Sequence, residues 1–298
     1  MILLTKCPAK INLFLKIINR QNSGFHDLQS LFAKIDLFDE IIVEKSAKFE
    51  LIVNSFTTQK LSNQNNIIEK IYNFFAKNFS LNFSLKIILN KHIPIGAGLG
   101  GGSSDGANFI KIINQIYNLN LLKTQMQKIS LEFGSDLPFF FEENICFVEG
   151  RGEKITQLDP LINQKFLNQL NSTKILLINP QIFLSTPQIF QNFSKKIDNS
   201  LAKYSTANSL DYISSKSIFD LINNQGNDLE NSAFEQSLIL KNLFDELQDF
   251  TPQSLRMSGS GSSFFIIFKN DNELQICQDF LYQKYPDFLV KKIEIICD

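Results

Sequence analysis

Residues 83–108 read FSLKIILNKHIPIGAGLGGGSSDGAN, and this stretch decides the fold. FSLKIILN (83–90) is apolar and β-branched between polar flanks, which predicts a strand. A helix is expected from about 103 to 118, with Ile110, Ile113 and Tyr117 as its inner stripe. Between them lies a concentration of glycine. The chain has only 13, and six of them (Gly96, Gly98, Gly100, Gly101, Gly102 and Gly106) fall within eleven residues. A strand, a glycine loop and a helix in succession make an anion site. Glycine admits positive φ and lets backbone amides approach a phosphate closely. The helix start adds unpaired N–H groups and a partial positive charge. Ser103 and Ser104 can cap that helix, or bind phosphate or a metal through their hydroxyls.

The loop is not a P-loop, because G-x-x-x-x-G-K-[ST] is absent. Gly96, Gly98 and Gly101 match the dinucleotide fingerprint, but that motif belongs on an early βαβ unit with an acid about twenty residues on. Here the loop follows several strands, and Ile112–Leu122 holds no acid. No H-R-D or D-F-G motif occurs, which excludes a protein kinase.

Upstream, residues 10–17 alternate. Ile11, Leu13, Leu15 and Ile17 point one way, and Lys10, Asn12, Phe14 and Lys16 the other, as in a strand with one face in the core. Asn22-Ser23-Gly24 reads as a turn, 39–44 and 49–54 as strands, and 65–78 as a helix. Downstream, a helix at 124–133 is expected to stop at Gly134 as a left-handed cap. Ser135-Asp136 ahead of Pro138 has the form of a helix start. Further helices are expected near 163–170, 187–193 and 229–248, and strands at 174–179, 263–268 and 289–296. The mixed order predicts an α+β chain rather than a doubly wound sheet, and 298 residues suffice for two lobes.

Composition narrows the function classes. Lys plus Arg is 29 against 30 for Asp plus Glu, so no nucleic-acid partner is expected. No run of eighteen apolar residues occurs, so no membrane partner is expected. Lys6, Lys10 and Lys16 interrupt the apolar N-terminal stretch, which makes a cytoplasmic enzyme the expectation. The four cysteines (Cys7, Cys146, Cys277 and Cys297) are scattered, and with only His26 and His92 no multi-histidine metal site is available. Phe is 29 and Trp is 0, a bias read as genomic rather than functional.

The string PIGAGLGGGSSDGA (94–107) closely resembles the ATP loop of the GHMP small-molecule kinases. CPAKINLFLKIINRQNSGFHDLQSLF (7–32), GSDLPFFF (134–141) and RMSGSGSSFFIIF (256–268) resemble further blocks of that superfamily, in the expected order. The resemblance implies a two-lobed α+β GHMP-kinase-like fold. Residues 1–155 would form an N-terminal ATP-binding lobe like ribosomal protein S5 domain 2, and 156–298 a ferredoxin-like C-terminal lobe. It implies ATP as phosphoryl donor, Mg²⁺ alongside it, and a small cytidyl alcohol as acceptor, in a monomer or weak homodimer.

The resemblance also assigns residues. The counterparts of Lys10 and Asp136 flank the reacting hydroxyl in the family, which implies Asp136 as the base, or at least the orienting acceptor, and Lys10 as the group that keeps it ionised and stabilises developing charge. Taken alone, the sequence favours a strand-end surface lysine for Lys10 and balances Asp136 evenly between a chemical role and a helix cap. Asn12 and His26 would hydrogen-bond the substrate, with His26 reading the cytosine edge, while Phe25 and Phe190 stack on the base. The family usually has Tyr at the position of Phe25. Thr186 matches a family P-T-P-x-x-F segment, with Ser185 replacing its first proline. ATP would be held by Asn66, Lys91 and the loop itself: Pro94, Ile95, Gly96, Ala97, Gly98, Leu99, Gly100, Gly101, Gly102, Ser103 and Ser104. The resemblance leaves the protein ligands of the metal unknown; Ser104 is a candidate through its hydroxyl.

Overall fold

The computed structural model describes residues 2–22, 24–56, 66–143, 145–159, 164–196, 217–250 and 254–296. Residues 65 and 163 of the expected helices, Ser23 of the expected turn, and Cys297 lie outside them. The chain divides into two compact units. The first comprises Met1–Ala9, Leu37–Ile95 and Gly100–Glu143, and the second Lys10–Asp36, Gly96–Leu99 and Asn144–Asp298. The expected boundary at residue 155 follows the chain, whereas this division groups residues 10–36 and 96–99 with the C-terminal part. Two long strands run through both units, β1 (Ile2–Arg20) and β2 (His26–Ser46).

In the first unit, β3 (Glu50–Ser55) lies parallel to β4 (Ser84–Lys91), and β4 pairs antiparallel with the C-terminal half of β2, Ile42 opposite Ile88. A parallel pair needs a crossover, and α1 (Ile67–Asn78) provides it. Its start is set by Asn66, whose side chain accepts from Ile68 N at 2.9 Å, and it buries Ile68, Ile71, Tyr72 and Phe75 at helical spacing. Then follow α2 (Gly101–Ile116), α3 (Lys123–Ser130) and a short 3-10 helix, Leu137–Phe141. Phe109, Ile110 and Ile113 of α2 are fully buried.

In the second unit, β5 (Cys146–Gly150) pairs antiparallel with the N-terminal half of β2 and with β6 (Lys154–Gln157). A separate antiparallel sheet holds β7 (Lys174–Asn179), β8 (Leu255–Met257), β9 (Phe264–Phe268) and β10 (Leu289–Ile293), in the order β10-β7-β9-β8. That order, with helices after its first and third strands, is the ferredoxin-like arrangement. The helices are α4 (Gln164–Ser172), α5 (Thr186–Lys196), α6 (Ile218–Gln225), α7 (Glu230–Gln236), α8 (Leu238–Gln248) and α9 (Asp271–Lys284). Leu176, Ile178, Phe264, Leu240, Leu243 and Leu281 belong to its core cluster.

Four local expectations change. Strand β1 is buried on both faces over residues 9–15, so Lys10 and Asn12 are interior rather than surface. Helix α3 ends at Ser130, and Gly134 is not left-handed; it leaves room for Leu137, whose Cδ1 would lie 2.9 Å from an added Cβ. The expected helix 229–248 is two helices, broken where Ser237 turns extended and accepts from Leu240 N to start the second. Helix α2 begins two residues early, at Gly101, behind a left-handed Gly100 and with no side-chain cap from Ser103 or Ser104.

Candidate active site

The glycine loop takes the backbone that its sequence demands. Gly96, Gly98 and Gly100 have φ of +63°, +74° and +68°, where L side chains are strained. Gly100 then opens α2 with no side-chain cap on its first turn, an arrangement that can receive an anion. Pro94 is buried, Ile95 and Ser103 are half-buried, and Gly102 is exposed. Ala97 and Leu99 are buried, which anchors the loop between its glycines. Ser104 is fully buried, and its Oγ accepts from Asn108 Nδ2 at 3.4 Å.

Lys91 turns inward. Its Nζ donates to Asp39 Oδ2 and, at 2.6 Å, to Asp105 Oδ2, all three side chains being buried. Asp39 Oδ1 also accepts from His92 N at 2.6 Å and Ile93 N at 2.8 Å. The trio therefore ties the end of β4 to the first turn of α2, on the flanks of the loop. Two carboxyls share one ammonium, and Asp105 Oδ1 has no hydrogen-bond partner among the described residues. Burial, opposed by Lys91 and reinforced by Asp39, pushes Asp105 up to about 7. Burial pulls Lys91 down, but Asp105 and Asp39 outweigh it and leave Lys91 raised. Asp39 and Asp105 were not singled out in the sequence; the position of Asp105 in the first turn of a glycine-led helix was the available signal.

In the second unit, Lys10 and Asn12 stand two residues apart on one face of β1. Lys10 Nζ donates to Asn12 Oδ1 at 2.5 Å and lies 4.8 Å from the centre of the Phe32 ring. Asn12 Nδ2 donates to Ser30 Oγ at 2.9 Å, so its amide orients the lysine while anchored on β2. Lys10 N also donates to Leu99 O at 2.9 Å.

His26 is buried, and its Nε2 lies 2.8 Å from Ser194 Oγ. Ser194 Oγ donates to Phe190 O at 2.9 Å, so with that proton committed it accepts from His26 Nε2–H and leaves Nδ1 as an acceptor. Burial, then Arg20, holds the imidazole below its ordinary value, against a smaller opposing pull from Asp27. Phe190 lies 5.4 Å from the His26 ring, tilted by 31°. Phe25 is exposed, with the Arg151 guanidinium 3.9 Å over its ring. Thr186, one turn before Phe190 on α5, pairs its hydroxyl with Ser260 Oγ at 2.7 Å. Phe193, 6.1 Å from His26, also lines a cavity of about 600 Å³ with Lys16, Asp228, Glu230 and Arg256. Ser194 was missed because only its position one turn after Phe190 marks it.

Asp136 stands directly before the 3-10 helix, with Pro138 in its first turn. Its side chain makes no capping hydrogen bond, so the capping role that its sequence allowed is not the one it plays. Asn66 serves as the cap of α1 through its Oδ1.

The family GHMP kinases N terminal domain matches residues 66–143, and GHMP kinases C terminal matches residues 213–287. A curated relative from Clostridium beijerinckii, named 4-diphosphocytidyl-2-C-methyl-D-erythritol kinase, is 29% identical over 294 residues, covering 96% of this chain and 98% of its own. One of the same name from Clostridium botulinum is 29% identical over 97% of this chain and 99% of its own. A crystal structure of 4-(cytidine 5'-diphospho)-2C-methyl-D-erythritol kinase superposes with a TM-score of 0.75 at 23% identity, covering 98% of this chain and 99% of that one. A mevalonate kinase structure gives 0.64 at 19% identity over 99% of this chain and 100% of its own.

Proposed function

The chain belongs to the GHMP kinases, and from that premise we propose that it transfers the γ-phosphoryl group of ATP to the 2-hydroxyl of 4-diphosphocytidyl-2-C-methyl-D-erythritol. The products are the 2-phosphate and ADP, a step of non-mevalonate isoprenoid precursor synthesis. Supporting the choice of substrate is the His26 cluster. A neutral, buried imidazole held by Ser194 keeps one ring nitrogen as an acceptor beside the Phe190 ring. That combination suits a cytosine, whose amino group donates and whose face stacks.

The other roles follow from residue chemistry. Main-chain amides of residues 96–104 receive the phosphates, with no basic surface required. Lys91 supports that loop through Asp39 and Asp105. Asn66 and Lys91 stand at the family's adenine-side positions, and Phe25, Phe190 and Thr186 at its cytidyl-side positions. Asp136 takes the hydroxyl proton, and Lys10, oriented by Asn12, stabilises charge developing on the transferred group. Mg²⁺ would be held by the nucleotide's phosphates, with the Ser104 hydroxyl as the candidate ligand from this chain, and would neutralise charge on the transferred group.

The test is steady-state phosphorylation of this substrate against the same alcohol phosphate lacking the cytidine. The expected result is a kcat/KM preference for the cytidyl compound of about a hundredfold or more, because the stacked, hydrogen-bonded base supplies binding that the truncated substrate lacks. Preference for the truncated compound would remove the assignment. Asp136→Ala should lower kcat by about a hundredfold or more with ATP binding retained, and unchanged turnover would remove Asp136 from the chemistry.

A further inference from the structure

We infer that Asn227 is a positioning residue that sets the nucleotide loop from behind, through the Ser258–Gly261 loop; this rests on reading residues 96–104 as the nucleotide site. Asn227 lies in the turn between α6 and α7 and is 7% exposed. Its Nδ2 donates to Met257 O and to Gly259 O, both at 2.8 Å, and its Oδ1 accepts from Leu229 N at 2.9 Å. Both amide hydrogens and the amide oxygen are thus spent on backbone.

The turn itself is fixed to β1, the strand that carries Lys10 and Asn12. Leu15 N donates to Gly226 O at 3.0 Å, and Asp228 N donates to Leu15 O at 2.9 Å. The Asp228 carboxylate accepts from Lys16 Nζ at 2.6 Å and Ile17 N at 2.8 Å. Glu230 Oε1 accepts from Met257 N at 2.9 Å, so the turn grips Met257 at both its N–H and its carbonyl.

The gripped loop in turn holds the nucleotide loop. Ser258 Oγ donates to Gly98 O at 3.0 Å and accepts from Asn12 N at 3.3 Å, while Ser263 N donates to Ala97 O at 3.2 Å. The approach is close enough that a Cβ on Gly98 would meet Ser258 O at 2.0 Å. The circuit is closed: β1 holds the turn, the turn holds the loop, and the loop holds Ala97–Gly98 and returns to β1 at Asn12. Only Asn or Gln carries two donors and an acceptor on one head group, and only Asn is short enough here to remain in place. An Asp of the same shape would aim carboxylate oxygen at two carbonyls.

The experiment compares wild type with Asn227→Asp, reading kcat and KM for ATP, and hydrogen exchange at Lys10 and Ser263. Those two amides bond to Leu99 O and Ala97 O of the nucleotide loop. Expected for Asn227→Asp is a KM for ATP raised about tenfold, the equivalent of one buried hydrogen bond, with kcat within about threefold and faster exchange at both amides. Leu243→Ala, in the core of α8, supplies the contrast. A purely structural loss lowers melting temperature without moving the KM or those two amides. Should Asn227→Asp not fold, Ser258→Ala removes the bond to Gly98 O directly and should move the same readouts by about threefold. Unchanged ATP KM and unchanged exchange in the folded variants would overturn the inference. A wild type inactive on the cytidyl compound, with exchange still loosened in the variant, would remove the substrate assignment and leave this clamp.

Discussion

Replacing Gly98 by Ala asks whether the glycine loop is shaped by packing or is merely flexible. Gly98 has φ +74°, a region that costs an L residue about 1–2 kcal/mol. The new Cβ would lie 2.0 Å from Ser258 O, 2.9 Å from Ser258 C and 3.1 Å from Gly261 O. These are backbone atoms and cannot swing away, so the two loops must separate by more than an ångström. Overpacking of this kind costs about 1–3 kcal/mol, and loss of the Ser258 Oγ to Gly98 O bond adds about 1 kcal/mol. The expected total of about 3–6 kcal/mol lowers the melting temperature by about 5–10 °C in a chain of this size. Gly102 is the control. Nothing lies within 4 Å of its added Cβ, and its φ is not positive, so Gly102→Ala should leave the melting temperature unchanged or raise it slightly. Both variants are followed by differential scanning fluorimetry and circular dichroism. A Gly98→Ala protein melting within about 2 °C of wild type would refute the contact between the two loops.

Three further outcomes follow from the buried charges. Lys91→Met leaves Asp39 and Asp105 buried without their cation and should destabilise by about 3–5 kcal/mol, read as a melting-temperature loss at neutral pH. Asp105 is held near 7 against an ordinary 3.8, so the folded state favours its proton. The stability it contributes is complete below about pH 4 and is lost as pH rises toward 7, so Asp105→Asn should flatten that part of the stability–pH curve. His26 is shifted the other way, its neutral form favoured by burial. Affinity for the cytidyl compound should therefore hold at neutral pH and fall only below the ordinary imidazole range, a limb that His26→Gln should abolish in a KM–pH profile.

The sequence was most legible where one physical signal dominated over a short span. KILLIN at 174–179 is continuously apolar and is a buried strand with unchanged limits. The glycine cluster led directly to a loop with three positive φ angles. Strands β5 and β6 were missed because five and four residues carry too little pattern. Helix α9 was missed because its stripe, Leu274, Cys277 and Leu281, is thin and lies among charged residues; Asn270 capping Glu273 N was its readable start. The site divides in the same way. Lys10, Asn12 and His26 sit in recognisable blocks, and Lys10 is oriented by Asn12 two residues on, but what holds Asn12 and His26 is remote in sequence. Ser194 is 168 residues from His26, and Ser258 is 246 from Asn12. Hydroxyls and amides of this kind carry no periodicity, and only the folded backbone brings them to their partners.

Which alcohol receives the phosphoryl group is measured directly by one competition. The protein is incubated with γ-labelled ATP and Mg²⁺ in an equimolar mixture of 4-diphosphocytidyl-2-C-methyl-D-erythritol, mevalonate and homoserine, and the labelled products are resolved by chromatography and ³¹P NMR. Label is expected on the cytidyl compound alone, at its 2-position. Label on mevalonate or homoserine, or no transfer beyond the blank, would contradict the substrate assignment.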